Sequence, residues 1–433
     1  MFLLVCLCAP MVAGFIRKFV PNQPNWIEPL VATVVSLAVL FLLLIKSIKT
    51  EKTSAAWFME LLVIWFALQF LYLLPAMFYS LQMAAMAFCV RLLPMFGAYM
   101  AIKLIQNKTD LRRIADFLGW FSIGMLPLGI LVMLNGNKLM PFFLQPIKKM
   151  VELGRDSKGG FDTCALVFNT EVTLSFSFLA ITFLLLANLQ QATKKEQFKY
   201  WLFIISAISL IYISTQRGSL WVAIGGLAIH FLMQKGKKKF GAVGGVVLLA
   251  IAFLVIDNYS KADTRYFHYN KRSSMMTSVD LNNRYQIIFI DLTTVWLDRN
   301  PFGAFLGFAG PENQIFGTPN TQKVNDAVEV GAALLAAEMG YVGLIGMPIF
   351  VFVLIYSFFQ RSQKLACHKT VMLLSSFIGG YFIIFYMKYG GAMTTLNMAQ
   401  ISFWAFAGIA AKLITVERRY IAMQNAATQY AKI

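Results

Sequence analysis

Charged residues are scarce in this sequence. Asp, Glu, Lys and Arg make up only 13% of its 433 residues, roughly half of what a soluble domain carries. The five cysteines show no metal-ligand spacing, and only three histidines are present. This composition argues against an ordinary soluble globular protein, a disulfide framework and a zinc centre. We therefore expect no metal ion and no cofactor.

Acidic residues are the scarcer class of charge. The chain has 20 Asp and Glu against 38 Lys and Arg, which gives a net charge of +18. In a soluble protein this excess would suggest a nucleic-acid partner. Here much of it lies in short clusters between apolar runs, where cytoplasmic loops meet anionic lipid headgroups. The pattern indicates membrane lipids and no nucleic acid as partners.

Apolar residues dominate instead, at 58% of the chain with a mean hydropathy of +0.65. Runs of about 20 such residues are long enough to cross the hydrocarbon core as helices. The sequence therefore predicts an all-α, polytopic integral membrane protein with about twelve transmembrane helices. The predicted spans are 1–16, 27–45, 55–77, 82–105, 114–134, 171–190, 200–216, 219–233, 241–256, 341–359, 370–388 and 392–414.

Basic clusters set the orientation of these spans. Twelve spans with both termini inside place six clusters on the cytoplasmic side of a bacterial inner membrane. The first span lacks a basic flank before it, which favours an uncleaved helix over a signal peptide. Arg17 and Lys18 are the exceptions to the charge bias. The clusters lie at 46–52, 103–113, 194–199, 235–239, 361–369 and 418–419.

This topology divides the chain into three parts. Residues 1–256 form transmembrane helices 1–9, residues 257–340 form a large periplasmic loop carrying short helices, and residues 341–433 form helices 10–12 and a cytoplasmic tail. Outer loops normally carry few cations, whereas this one is rich in them. We expect it to bind an anionic ligand, although the spans alone could also have carried the loop outside. Its cations are Lys261, Arg265, Lys271, Arg272, Arg284, Arg299 and Lys323.

Two arginines lie in or beside the spans. Arg91 falls roughly 13 Å inside the fourth span, where a charge marks a candidate functional site, and Pro94 predicts a kink beside it. Glu60 is a candidate partner, although it lies near the opposite end of its span. Arg217 opens the eighth span at the outer interface, where it either snorkels to water or binds an anion. Guanidinium groups bind phosphate oxygens in pairs, so these arginines and the loop predict a phosphate site.

Three motifs resemble those of the bacterial O-antigen ligase and polymerase superfamily. The first is an arginine-glycine turn opening a helix, STQRGSLWVAIGGLAIHF, at 214–231. The second lies in the outer loop and runs from Arg284 to Gly303, ending in WLDRNPFG. The third is the loop exit AALLAAEMGYVGLIG, at 332–346, which is similar to the family's LLAELGLxGL. The resemblance covers residues 202–359.

The resemblance implies a metal-independent glycosyltransferase that acts on undecaprenyl-diphosphate-linked glycan as both donor and acceptor. A chain-length regulator and a flippase are further implied partners. On this basis Arg217 and Arg284 are expected to stabilise the departing diphosphate, with support from Arg91, Arg265 and Arg272. The same family includes ligases, which transfer glycan to lipid A-core.

The chain departs from the ligase pattern at one position. Where ligases of this family have a histidine, nine residues before Glu338, this chain has Glu329. The resemblance therefore favours a polymerase, with Glu329 as the candidate general base and Asp326 and Glu338 as alternatives. Glu329 could also be a helix-start residue, and Glu338 a structural residue of the loop exit. A secondary transporter of a small anion is the rival class, since twelve spans with both termini inside are common there.

Overall fold

The structure of the protein is a computed structural model. It describes residues 34–35, 38, 55–105, 108–135, 171–214, 217–234, 292–310, 330–387, 393 and 398–430. This part of the chain is helical and contains no strand. Its ten helices are α1 Ala56–Tyr79, α2 Leu81–Leu104, α3 Lys108–Asn135, α4 Glu171–Leu189, α5 Lys194–Ile213, α6 Arg217–Leu232, α7 Leu292–Arg299, α8 Gly331–Ser362, α9 His368–Met387 and α10 Met398–Tyr430.

The helices bear out a multi-pass helical membrane protein. Six of them, α1, α2, α3, α8, α9 and α10, are long and apolar enough to cross a membrane, and α4 and α6 contain shorter apolar stretches. Large apolar side chains such as Ile64 and Leu71 on α1 and Phe352 on α8 are exposed, as expected for surfaces that face lipid. The predicted spans at 1–16 and 241–256 lie outside the described residues, and of the span at 27–45 only residues 34–35 and 38 are described, so the total of twelve stays a prediction.

Several helix boundaries differ clearly from the predicted spans: α3 and α8 begin six and ten residues early, and α5 and α10 differ as well. α5 begins at Lys194, six residues before the predicted start, because the Glu196 carboxylate accepts a hydrogen bond of 2.8 Å from the backbone N–H of Thr193 and closes the first turn. α10 begins six residues later than predicted and continues to Tyr430, far beyond the predicted end. Its 33 residues span about 50 Å, so its last turns extend past the bundle.

Polar contacts between helices gather at one end of the bundle, here called the basic end and defined by Arg112, Lys199, Arg361 and Arg418. Four of the six predicted cytoplasmic clusters meet there. The contacts include Arg112 to the Gln191 carbonyl at 2.7 Å, Lys199 to Asp116 at 2.7 Å and Arg418 to the Arg361 carbonyl at 2.9 Å. Consecutive helices therefore return their basic ends to one side, as the charge pattern predicted for these clusters.

The opposite end, here called the distal end, is defined by Tyr79, Gly303 and Gly340. Residues 301–310 pack there, since Leu306 N–H donates to the Tyr72 carbonyl at 2.9 Å and the ring of Phe305 lies 4.7 Å from that of Tyr79. The chain leaves α6 at the basic end and re-enters the described part with α7 at the distal end. The predicted span at 241–256 lies between them, outside the described residues, and stays a prediction.

The centre of the bundle is built on the close approach of α2 and α10. A Cβ at Gly408 would lie 2.2 Å from the Ala98 carbonyl oxygen, and one at Gly97 would lie 3.1 Å from the Ile401 carbonyl oxygen. Small residues bring the two backbones together, as is common between helices in membranes. This contact fixes α2, which carries Arg91, in the interior.

Candidate functional site

The candidate site is built around a buried ion pair between α2 and α8. Arg91 Nη2 lies 3.0 Å from Glu338 Oε1, and the two residues are 7% and 1% exposed. The partner of Arg91 is therefore Glu338 and not Glu60, which lies in the second turn of α1 towards the basic end. Two charges removed from water to this extent require each other, because either alone would carry a large desolvation penalty.

The backbone of α2 changes its winding at Arg91. Residues Phe88–Leu92 form a π turn and Leu93–Met95 a 3₁₀ turn. Pro94 has no N–H to donate to the carbonyl of Val90, four residues earlier. The interruption that Pro94 predicted is thus present, and it places Arg91 on a π turn, a feature frequent at functional sites.

Gln400 of α10 compensates for the missing helical hydrogen bond. Its side-chain amide donates to the Val90 carbonyl at 2.8 Å and to the Met393 carbonyl at 2.9 Å. An unpaired carbonyl at this depth would be costly, since the hydrocarbon interior offers no water. Gln400 therefore ties the interrupted part of α2 to the start of α10.

Glu338 is positioned by a break in α8. Gly340 has φ 58° and ψ −143°, which separates a short segment, Gly331–Met339, from the long helix that follows. A left-handed φ favours glycine, and a Cβ at this position would lie 2.0 Å from the Pro301 carbonyl oxygen. The break lets Glu338 point at Arg91 while the rest of α8 continues to the basic end.

The second and third sequence motifs interlock at this break. Tyr341 N–H donates to the Pro301 carbonyl at 2.9 Å, and Ala304 N–H donates to the Ala337 carbonyl at 2.9 Å. Gly307 N–H donates to Glu338 Oε1 at 3.1 Å, beside Arg91. One carboxylate oxygen thus holds both the membrane arginine and the segment that follows the WLDRNPFG motif.

The segment Gly331–Met339 is buried on all of its faces. Its alanines pack against Trp296 and Leu297 of α7 and against Ala309. Gly331 itself approaches Phe385 of α9, where an added Cβ would lie 2.4 Å from the carbonyl oxygen. Small side chains let the neighbouring elements approach this segment closely.

A small polar cavity adjoins the ion pair. Its lining includes Gln69, Arg91, Glu338 and Gln400, and its volume is about 30 Å³. This volume suits one or two water molecules. The rest of its lining is apolar, so the ion pair and the two glutamines form a polar centre within an apolar surrounding.

The start of α6 lies at the same level as this centre. Val222 packs against Gly380 of α9, where an added Cβ would lie 2.3 Å from its side chain. Arg217 is five residues before Val222 and Phe385 is five residues after Gly380, so both lie about 7.5 Å further towards the distal end. The backbone of Arg217 is therefore level with Gly331, which packs on Phe385.

The predicted site residues fall into two groups. The structure joins Arg91 and Glu338 directly and describes the backbone of Arg217 at the first position of α6. The other five, Arg265, Arg272, Arg284, Asp326 and Glu329, lie outside the described residues. In the part of the chain that the structure describes, no group of three His, Cys, Asp or Glu residues could hold a metal ion.

Sequence reasoning missed two participants, Gln400 and Gly307. A glutamine early in an apolar span is a signal that could have identified Gln400, because buried amides need hydrogen-bond partners. Gly307 contributes only its backbone N–H, for which the sequence gives no signal. No protein-family model matches the chain, and no curated protein matches it either.

Proposed function

We propose that the protein is a membrane glycosyltransferase that polymerises undecaprenyl-diphosphate-linked oligosaccharide units at the distal end of the bundle. The observation that carries the proposal is the interlock of the second and third motifs, in which Tyr341 N–H donates to the Pro301 carbonyl and Glu338 pairs with Arg91. The start of α6 is level with Gly331, so the described parts of the first and third motifs lie at a similar depth, which supports the proposal. The polymer is O-antigen, capsule or exopolysaccharide.

The orientation follows from the basic end. Four basic clusters gather there, and cationic ends of multi-pass proteins face the cytoplasm. The distal end then faces the periplasm of a bacterial inner membrane. This side suits a lipid diphosphate donor, whose phosphates lie at the interface and whose chain remains in the bilayer.

In the proposed reaction, a hydroxyl oxygen of the acceptor glycan attacks the anomeric carbon of the donor sugar. The bond between that carbon and the diphosphate oxygen breaks, and undecaprenyl diphosphate leaves with the electron pair. Glu329 takes the proton of the attacking hydroxyl. Arg217 and Arg284 stabilise the charge that develops on the diphosphate, with Arg265 and Arg272 in support.

The ion pair suggests that Arg91 and Glu338 position the site and do not bind the diphosphate themselves. The guanidinium of Arg91 contacts the Glu338 carboxylate at 3.0 Å, so the protein already supplies its counter-ion. Both residues then act beneath the site, where they hold the segment that follows the PFG turn. Asp326 stays the alternative candidate for the general base.

The arginines are tested by polymer formation from purified lipid-linked repeat units. Arg217→Ala and Arg284→Ala are expected to abolish polymer while the protein stays folded, and Arg→Lys to rescue poorly, because an ammonium cannot form the paired hydrogen bonds of a guanidinium. Arg113→Ala is the matched control: Arg113 is an exposed arginine of α3, beside Arg112 at the basic end and so away from the proposed site. Wild-type activity in either variant removes that arginine from the site.

The general base is tested separately. Glu329→Gln is expected to lose roughly 10²–10⁴-fold in turnover and still bind the lipid-linked donor. Glu329→His restores the group found in ligases of the family, and we expect it to retain part of the activity. If Glu329→Gln polymerises at the wild-type rate, Glu329 is not the base. Transfer to lipid A-core without polymer would instead identify a ligase.

A further inference from the structure

A cavity of about 260 Å³ lies at the basic end between α8, the turn after it and the extension of α10. Three of its lining residues are cations, Arg361, Lys364 and Arg418, and two are glutamines, Gln360 and Gln363. It lies at the end of the bundle opposite the Arg91–Glu338 pair. The proposed glycosyl transfer makes no use of it.

The described residues place no counter-ion against the cations of this cavity. In the described residues, no carboxylate lies within 4.0 Å of Arg361, Lys364 or Arg418. The nearest acidic residue in sequence is Glu417, whose two oxygens accept backbone N–H groups of Ala366 and Cys367 at 2.7 and 2.8 Å. Three cations around one cavity therefore favour an anion within it.

Two of these cations are held in place. The Arg361 guanidinium lies 4.4 Å from the ring centroid of Trp57, and Arg418 donates two hydrogen bonds to the Arg361 carbonyl. Fixed arginines lose less entropy when they bind phosphate than mobile ones do. Lys364 is exposed and adds a third, adaptable donor.

An apolar surface leads along α8 to this cavity. Ile345, Ile349, Phe352 and Tyr356 are each at least half exposed, and their spacing of three or four residues places them on one face. Gln363 continues the same face into the cavity. A molecule with acyl chains on this face would place its headgroup among the cations.

We infer that this cavity binds the phosphate headgroup of an anionic phospholipid from the leaflet at the basic end, with its acyl chains along the exposed face of α8. Basic pockets between transmembrane helices bind such headgroups. A free phosphate shares the headgroup chemistry but gains nothing from the apolar face. The continuity between that face and the cavity favours the lipid.

The test uses the full chain in detergent and measures its thermal unfolding during titration with phosphatidylglycerol, phosphatidylcholine or inorganic phosphate. We expect phosphatidylglycerol to stabilise the protein more than the other two. Lys364→Gln with Arg418→Gln should weaken its apparent affinity roughly 30-fold, the factor for two surface cations. Lys364→Gln alone, at an exposed position that leaves the fold unchanged, should weaken it roughly 5-fold.

The matched control is Lys194→Gln with Lys195→Gln, which removes two exposed cations from the same end of the bundle but away from the cavity. It should leave the affinity for phosphatidylglycerol close to that of the wild type. An equal loss in both double variants would mean that general surface charge attracts the lipid, and would overturn the site. Equal stabilisation by inorganic phosphate would overturn the lipid as its occupant.

Discussion

Removing the charge of either Arg91 or Glu338 should destabilise the protein far more than removing both. In Arg91→Gln a buried carboxylate loses its cation, and in Glu338→Gln a buried guanidinium loses its anion. Each single change should cost about 3–5 kcal/mol of the free energy of unfolding. In the double variant two neutral amides replace the pair and can hydrogen-bond to each other, so its cost should be below that of either single variant.

The expected size of this coupling follows from the geometry of the pair. At 3.0 Å and an effective dielectric constant of about 20, the attraction between two unit charges is roughly 5–6 kcal/mol. Part of it offsets the desolvation of both groups. We therefore expect a coupling free energy, the sum of the single costs minus the cost of the double variant, of about 3 kcal/mol or more.

The measurement is a double-mutant cycle, with reversible unfolding followed in mixed detergent micelles. The matched control is the pair Arg112–Glu196 at the basic end, which is separated by 3.5 Å with both side chains one-third exposed. Its coupling should stay below about 1 kcal/mol because water screens exposed charges. A coupling below about 0.5 kcal/mol for Arg91 and Glu338, the range of independent sites, would refute the reasoning.

Three further predictions concern the backbone and the topology. Gly340→Ala should destabilise the protein by more than about 1 kcal/mol in the same unfolding assay, because it combines a positive φ with a steric clash. The control is Gly225→Ala, which should be neutral or stabilising because a Cβ there meets no atom within 4 Å. Gln400→Leu should cost about 1–3 kcal/mol because it leaves the buried Val90 carbonyl without its side-chain donor, and a cost near zero would contradict this role. Asn320→Cys in a cysteine-free chain should react with a membrane-impermeant reagent in intact spheroplasts, and reaction only after permeabilisation would contradict the periplasmic position of the outer loop.

The helices of the bundle were largely predictable because apolar runs of spanning length have few alternatives in a membrane. Nine of the twelve predicted spans coincide with described helices. Their ends were less predictable, since capping contacts and helix extensions depend on particular side chains. α5 starts early through Glu196, and α10 continues after its apolar run ends.

The candidate site was predictable only in part. Arg91 stood out as a charge within an apolar span, and Glu338 stood out through its motif, but the sequence suggested no contact between them. The two residues are 247 positions apart, and hydropathy carries no information on pairing at that distance. Glu60 is closer to Arg91 in sequence, but it lies nearer to the basic end of the bundle than Arg91 does. The contact between Pro301 and Gly340 was equally hidden, because it depends on a backbone break.

The separation of Arg91 from Glu338 also has a consequence for biosynthesis. A ribosome adds about 5–20 residues per second, so the 247 positions between the two residues take roughly 12–50 seconds to translate. During that interval α2 has to enter the bilayer with a cation whose final counter-ion has not yet been made. Until then, water, a lipid phosphate or a polar group of the insertion machinery has to solvate the guanidinium. The interior of the bundle can therefore close only late, when the chain has grown past α8 and Glu338 replaces the groups that solvated Arg91 until then.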